Sequence, residues 1–440
     1  MKTLVLYYLR FFARVSLFLH KPKIIGITGS VGKSSTRNAV FAMMKDYFKV
    51  KVVKEGNSET GIPLGILGIS PGHYRLLDWL RVMISAPFKL NNLKKIDYLI
   101  VEMGIDSPLP PKNMDYLLTI VKPDISVVLN VYPVHTMQFD ELFQKDLSGE
   151  KRLEYIVKRI AKEKLKIINK ANPGVGIYNE NLKPQIANLK NKTINTKLIS
   201  FGKSDEADIK FLNYQVDLKK TSFKYLLTEE NDELEISIKN FVLPKGYLEV
   251  FAATISIGKN LGLTDKQIIK GLSDNFSVPS SRGSIFEGIN SSIIIDSSYN
   301  ASRASVMTFL EMTEELSEKE NRPFILLLGD MRELGQEAEI EHEAVAKEII
   351  ALKADQVYCV GSNTKEYIKY TKWFKTSVEA GDYLRKSLPY RSIILVKGSQ
   401  NEIFLEEAVK KMLKNRSDER KLCRQNDFWL KKKADFFQGV

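Results

Sequence analysis

The sequence predicts two α/β domains in tandem, the first a doubly wound central domain that also holds a small β-rich subregion. Three observations point there. Short apolar runs, KIIGIT from Lys23, YLIVEM from Tyr98 and ISVVLNV from Ile125, alternate with helical stretches, as buried parallel strands and their crossover helices do. A glycine-rich turn, Gly26-Ile-Thr-Gly-Ser-Val-Gly-Lys-Ser-Ser-Thr36, joins the first run to a helix. Beyond Pro279 the strand-and-helix alternation starts afresh.

Composition narrows the class. At 440 residues the chain exceeds one ordinary domain. With 44% hydrophobic and 27% charged residues it can bury sizeable cores, which excludes collagen, a disordered tail protein and a polytopic membrane protein. Two cysteines, Cys359 and Cys423, are too few for a disulfide scaffold or a four-cysteine zinc ribbon. A net charge of +13 favours anionic partners: phosphates, nucleotides, acidic lipids or nucleic acid. Charge alone speaks for nucleic acid; no clustered aromatic and basic module accompanies it, so none is expected.

Taken in order, residues 1–20 form an apolar and basic N-terminal helix. Its run Leu4 to Leu19 is interrupted by Arg10 and Arg14, is too short to span a bilayer, and leads into a strand with no small-residue cleavage site, unlike a signal peptide. Two readings stand: a helix packed on the following domain, which is favoured, or peripheral contact of residues 1–19 with an anionic membrane surface. Residues 21–279 form the central domain. Strands at Lys23 to Thr28, Val50 to Lys54, Tyr98 to Met103 and Ile125 to Val131 are accompanied by helices from Lys33 and at Glu150 to Lys166. Lys197 to Val242 reads as four short alternating strands, and Leu248 to Leu261 as a helix. Pro279 to Gly283 reads as a hinge. Residues 280–440 form the second domain, with strands at Ile293 to Asp296, Phe324 to Gly329, Gln356 to Gly361 and Ser392 to Val396. A basic tail from Lys410 reads as a terminal helix with a solvated face.

The glycine-rich turn carries the strongest chemical signal. Between a strand and a helix, its backbone N–H groups surround phosphate oxygens while the helix N-terminus adds positive potential. Lys33 reaches the terminal phosphates and the Ser34 hydroxyl ligates Mg²⁺. The loop departs from the standard P-loop spacing, because Ile27 stands where glycine is required and Gly26 and Gly29 take over the turn. Nucleotide-contacting residues are thus expected at Gly26, Thr28, Gly29, Ser30, Val31, Gly32, Lys33, Ser34 and Ser35.

This variant loop resembles the ATP-binding loop of the Mur ligases, the amide-forming enzymes of peptidoglycan synthesis. Val101-Glu102-Met103-Gly104 resembles the family's E-x-G, whose glutamate binds magnesium. Asn130-Val-Tyr-Pro-Val-His135 resembles its N-x-x-x-x-H run, whose histidine belongs to the metal site, and Ile160-Ala-Lys-Glu-Lys164 its I-A-x-x-K, whose lysine is carbamylated. Asn57 and Gly61-Ile62-Pro63 resemble its N-x-x-x-G-x-P. In the second domain, Asp296-Ser-Ser-Tyr-Asn300-Ala301, Leu328-Gly-Asp-Met-Arg-Glu-Leu-Gly335 followed by His342, and Val396-Lys397-Gly-Ser399 resemble signatures of the MurF-type branch, with Arg282 in the place of the family's junction arginine. The resemblance covers about residues 21 to 410.

The resemblance implies a P-loop central domain, a Rossmann-like second domain, ATP and two Mg²⁺ ions as cofactors, and a carbamate on Lys164. Metal ligands are expected at Ser34, Glu102, His135 and Lys164, nucleotide contacts also at Asn130, Asp296 and Asn300, and catalytic roles for Lys33, Lys164, His135 and Arg282. Hard cations prefer oxygen ligands, which suits Ser34 and Glu102. The activity implied is an ATP-dependent ligation that adds D-alanyl-D-alanine to a UDP-N-acetylmuramoyl tripeptide through an acyl phosphate, in a monomeric cytoplasmic enzyme. Arg282 and Lys397 would add positive charge when the second domain closes.

Departures keep alternatives open. The phosphate loop begins about 25 residues in, so the family's N-terminal uridine-binding domain is expected to be missing. Ser297 replaces the second aspartate, Ser302-Arg303 the asparagine-proline, and the H-N-x-x-N stretch is not kept around Lys245 to Ala253. A ligase acting on a different or lipid-linked acceptor, as in folate-type relatives, is one alternative; a non-catalytic nucleotide-binding scaffold is the other. The joint presence of Lys33, Ser34, Glu102, His135 and Lys164 speaks against the scaffold.

Overall fold

A computed structural model describes residues 2–54, 56–70, 72, 76–132, 149–171, 174–187, 196–239, 242–332, 334, 337–352, 354–399 and 402–438. The chain divides into two compact units. The first comprises residues 1–213, 223–236 and 247–277; the second comprises 214–222, 237–246 and 278–440.

The sheet of the first unit has the order β2-β3-β1-β4-β5-β6-β7-β8-β9. These strands are β1 (Lys23–Thr28), β2 (Val50–Val52), β3 (Tyr98–Glu102), β4 (Ile125–Val128), β5 (Val175–Asn179), β6 (Lys197–Gly202), β7 (Ile209–Val216), β8 (Lys220–Leu227) and β9 (Asp232–Lys239). Pairing is parallel from β2 through to β7. The four strands expected between Lys197 and Val242 therefore extend the main sheet: β6 pairs with β5 from Val175↔Lys197 to Asn179↔Phe201. The β1, β3 and β4 segments are buried along their length apart from Lys23, which is why they read as unbroken apolar runs. β5 escaped the sequence reading because VGIYN is short, opens beside a glycine and has one aliphatic pair.

The helices that position the site in this unit are α1 (Lys2–His20), α2 (Lys33–Met44), α3 (Gly61–Leu67), α4 (Leu76–Ser85), α5 (Met114–Ile120), α6 (Gly149–Asn169), α7 (Tyr247–Asn260) and α8 (Asp265–Asn275). One core joins the β3 residues Leu99 and Val101 to Ile156, Ile160 and Leu165 of α6 and to Leu117 of α5. On α7, Phe251 packs edge-on against Phe223 of β8 and Phe276 after α8, with ring centroids 5.0 and 5.3 Å away. α1 runs without glycine or proline to His20 and stops where Lys21 turns left-handed, at φ 47°, before Pro22. Its inner face, Leu6, Leu9, Ala13 and Ser16, is buried. Packing on the first unit is thus the state of α1, and among the described residues no helix is long and apolar enough to cross a membrane.

In the second unit the order is β10-β11-β15-β12-β13-β14, formed by β10 (Ser284–Glu287), β11 (Ile293–Ser297), β12 (Phe324–Gly329), β13 (Gln356–Val360), β14 (Lys372–Phe374) and β15 (Ile393–Lys397). All pairings are parallel except β10 against β11. Alternate residues feed two cores. Ile295, Leu326, Leu328 and Leu395 face one, whereas Ile294, Ile325, Leu327, Ile394 and Val396 face the other, as expected of a sheet covered on both sides. The flanking helices include α9 (Arg303–Glu320), α10 (Ala338–Ala351), α11 (Ser362–Tyr367), α12 (Ser377–Ser387), α13 (Glu406–Met412) and α14 (Asp427–Gln438). The basic tail does end in a helix, α14, with an exposed face, although Lys433 is buried.

Candidate active site

The register decides what meets the glycine loop. Ile27 pairs with Glu102 and Thr28 with Val128, so Glu102, Asn130 and the loop all lie at the carboxyl edge of the sheet, where open α/β sheets place their ligands. Gly32, with φ 85°, begins α2, a conformation costly for any residue with a Cβ. At Gly26 the constraint is space, because a Cβ would sit 2.4 Å from Pro123 Cγ. The first N–H groups of α2 have no helical acceptor and aim at the loop opening.

Lys33 folds over the loop and donates to the carbonyls of Gly29 (2.8 Å) and Ser30 (3.1 Å). One residue on, the Ser34 hydroxyl donates to Glu102 Oε2 at 2.9 Å. Arg37 lies 3.3 Å from the same oxygen, and the Asn57 amide donates to Oε1 at 3.1 Å. Glu102 is buried and held by a hydroxyl, an amide and a guanidinium. Lys164 approaches from below: its Nζ donates to Gly29 O at 2.9 Å and is buried. Burial first, then the nearby charge of Lys33, lowers the affinity of Lys164 for its proton well below that of an ordinary lysine, against a weaker pull from Asp106. Two ammonium groups cannot comfortably share one carbonyl.

Asn130 braces the loop. Its Oδ1 accepts from Ser30 N (3.1 Å) and Val31 N (2.9 Å), and its Nδ2 donates to Val31 O (3.1 Å) and to Glu249 Oε2 (2.6 Å). Asn179 donates to the other Glu249 oxygen at 3.0 Å. Burial pushes the Glu249 carboxyl up to about 7 despite the two amides. Ser30 is tied further to Tyr132 through Ser30 Oγ→Tyr132 O and Tyr132 N→Ser30 Oγ. His135 lies outside the described residues.

The expected motifs of the second unit meet around one turn. Asp296 is buried and accepts from Ser281 Oγ (2.6 Å) and Ser298 N (3.0 Å). Lys397 donates to Asn300 O at 2.6 Å; burial, with Arg282 nearby, brings its ammonium down to about 7. The Arg282 guanidinium stacks 4.4 Å over the Tyr299 ring. The Leu328 to Gly335 signature has a structural occupation in its described part. Asp330 accepts from Thr364 N at 2.8 Å at the start of α11, and His342 Nε2 accepts from Met331 N at 3.0 Å while Nδ1 faces Ala338 O. The expected hinge is pinned within this unit, Ser281 O accepting from Tyr299 N and Asp296 O from Gly283 N.

Four residues that matter to these geometries escaped the sequence reading. Arg37 was findable, since it follows Ser34 by three residues and so shares its helix face. Glu249 looks like a routine acidic residue in the first turn of a helix, and Asn179 ends an unrecognised strand. Arg424 was hidden in a basic run, yet it forms a buried two-point pair with Glu406 at 2.8 and 2.7 Å and donates to Ser298 O and Tyr299 O.

Comparison with known proteins agrees with this geometry. The family model described as Mur ligase, glutamate ligase domain, matches residues 282–400. The UDP-N-acetylmuramoyl-tripeptide--D-alanyl-D-alanine ligase of Rickettsia prowazekii is 28% identical over 86% of this chain and 76% of its own. That of Buchnera aphidicola subsp. Baizongia pistaciae is 25% identical over 88% and 75%. In fold, the MurF ligase of Thermotoga maritima in complex with ADP superposes with a TM-score of 0.72 at 21% identity, covering 94% of this chain and 84% of that one. The apo form of L. casei FPGS reaches 0.60 at 14% identity, covering 92% and 93%.

Together these matches support a Mur ligase, one of the ATP-dependent enzymes that form peptide bonds. The relatives that run along most of its length are D-alanyl-D-alanine-adding enzymes. The type they support is MurF.

Proposed function

We propose that the chain couples ATP cleavage to addition of D-alanyl-D-alanine to a UDP-N-acetylmuramoyl tripeptide, in the cytoplasm where both nucleotides are found. The observation that carries this reading is the convergence of Lys33, Ser34 and Glu102 under one glycine turn. A free carboxylate is a poor electrophile. Its oxygen attacks the γ-phosphorus, the bond to ADP breaks, and an acyl phosphate results. The amine then attacks the acyl carbon, the carbon–oxygen bond to phosphate breaks, and the amine proton is lost.

Phosphoryl transfer asks for position and compensating positive charge rather than covalent help. The α2 N-terminus and Lys33 supply it, Lys33 exchanging its loop carbonyls for phosphate oxygens. Asn130 keeps the loop in shape. The donor set fits Mg²⁺: Ser34 Oγ and Glu102 Oε2 are hard oxygens 2.9 Å apart, the spacing of about 2.9 Å expected of neighbouring oxygens around an ion bound at ~2.05 Å. Held by Ser34 and Glu102, Mg²⁺ would supply compensating charge for the transferring phosphoryl group. Lys164 fits the expected carbamate, because only an uncharged amine adds CO₂ and its site disfavours the ammonium. Its test is the ¹³C signal of a carbamate after incubation with labelled bicarbonate, which Lys164→Ala should lack. In this reading residues 21–279 hold the nucleotide, apart from 214–222 and 237–246, which group with the second unit, and residues 280–440 form the second domain.

The reading is tested by phosphate release with ATP, Mg²⁺, the muramyl tripeptide and D-alanyl-D-alanine, with product identified by mass. Wild type should release phosphate only when both acceptor and dipeptide are present, and Lys33→Ala should be slower by about 10²–10³-fold. Release that ignores the dipeptide, or an unimpaired Lys33→Ala, would reject the assignment.

A further inference from the structure

We propose that the outer faces of α1 and α4 form a docking surface for an anionic phospholipid bilayer. The two helices lie side by side. Tyr8 Oη donates to Met83 O at 2.9 Å and Ser16 Oγ to Leu90 O at 2.7 Å, and Leu9, Leu64, Leu67, Val82 and Ala86 share a small core beneath them. Above that core, large apolar side chains face water. On α1 these are Leu4, Tyr7, Phe11 and Phe18, at 66, 53, 60 and 73% exposure; on α4 and the turn after it they are Leu80, Ile84 and Phe88, at 57, 62 and 82%. Their spacings of three, four or seven residues put each set on one face. Isolated exposed apolar residues need no explanation, but two adjoining stripes do.

Charge selects the occupant. Within residues 2–21 and 76–95 eight residues are lysine or arginine and one, Asp78, is acidic. Arg14 stands exposed within the α1 stripe, and Arg81, Lys89, Lys94 and Lys95 are exposed along the second segment. A second copy of this chain would bring two such basic faces together, which is unfavourable, whereas a surface of acidic lipid headgroups complements them. Aromatic rings suit the boundary between headgroups and acyl chains. Neither helix can cross the bilayer, so the mode is a helix pair lying in the interface plane. The inference does not depend on which acceptor the enzyme uses.

Co-sedimentation of the whole protein with vesicles tests it. Phosphatidylglycerol-rich vesicles should pull the protein down at low salt, pure phosphatidylcholine vesicles much less, and added salt should weaken the binding. Phe11→Glu with Phe88→Glu should lower vesicle affinity by at least about tenfold without moving the melting temperature, since both side chains are exposed. Arg14→Glu with Arg81→Glu should remove the salt-sensitive part. Failure of the wild type to bind anionic vesicles would overturn the proposal, as would equal binding by the phenylalanine variants. Sedimentation velocity showing a dimer that those variants dissolve, with no vesicle binding, would reassign the surface to self-association.

Discussion

Glu249 is the residue whose chemistry is least expected. A carboxylate can only accept hydrogen bonds, so it fixes which way both neighbouring amides face and leaves Asn130 Oδ1 for the loop N–H groups. Its proton equilibrium has a stability consequence. The carboxyl is raised from an ordinary value of 4.5 to about 7, so between those values the folded state holds more proton than the unfolded chain. Its contribution is fully present below about 4.5 and is lost as pH rises towards 7. Glu249→Gln cannot titrate. Melting curves from pH 4.5 to 8 should therefore shift in favour of the variant up to about pH 7 and run parallel above it. A constant offset would mean that Glu249 keeps its charge throughout. Lys33, Ser34 and Glu102 were legible because residue type and spacing announce their chemistry, and the structure brings all three together. Glu249 was not, because what distinguishes it is the pair of amides that it meets from just after β4 and from β5, 119 and 70 positions away in the chain.

At the scale of elements, the strand–turn–helix from β1 into α2 is the piece on which binding rests, and it was the clearest to read. Its limits are local: the backbone of Gly32 sits at φ 85°. Gly32→Ala places a Cβ in left-handed backbone, which costs about 1–2 kcal/mol, and tilts the first N–H groups of α2. Calorimetry should show ADP affinity falling while the urea midpoint moves down by the corresponding amount. Unchanged affinity would separate the helix start from phosphate binding. Buried central strands were equally plain, since β1, β3, β4, β11, β12, β13 and β15 are apolar almost throughout. Edge and short elements were not. β14 has three residues, and β10 owes its existence to antiparallel pairing with β11, Ile285 opposite Ile295, which no local pattern announces. The length of the first sheet was hidden for a related reason: alternation in β6 to β9 shows one covered face but not which strand will be the neighbour.

Across the whole molecule, the tail is structural. Glu406 is fully buried, meets Arg424 through two oxygens and lies 3.0 Å from Lys433. Burial pushes the Glu406 carboxyl up, but Arg424 and Lys433 together hold it below the usual value. Arg424→Ala leaves that charge short of its main partner and frees the turn at Ser298 and Tyr299. Loss of one member of a buried pair costs about 3–5 kcal/mol, a fall of about 6–20 °C in melting temperature for a unit of this size. Scanning calorimetry should find it in the transition of the second unit; a fall under 2 °C, below the ~2–4 °C expected for even 1 kcal/mol, would show the pair to be dispensable. The division at residue 277 has a practical sequel. Val216 and Val242 belong to the core of the second unit, although both precede that point in the chain, and the backbone passes between the units five times, at 213/214, 222/223, 236/237, 246/247 and 277/278. No single cut yields two self-sufficient fragments: a piece ending at 277 would carry orphaned valines into water, and the remainder would be left with gaps where they belong. Gene splitting, domain exchange or shuffling must therefore move the β-ribbon tips along with the C-terminal half.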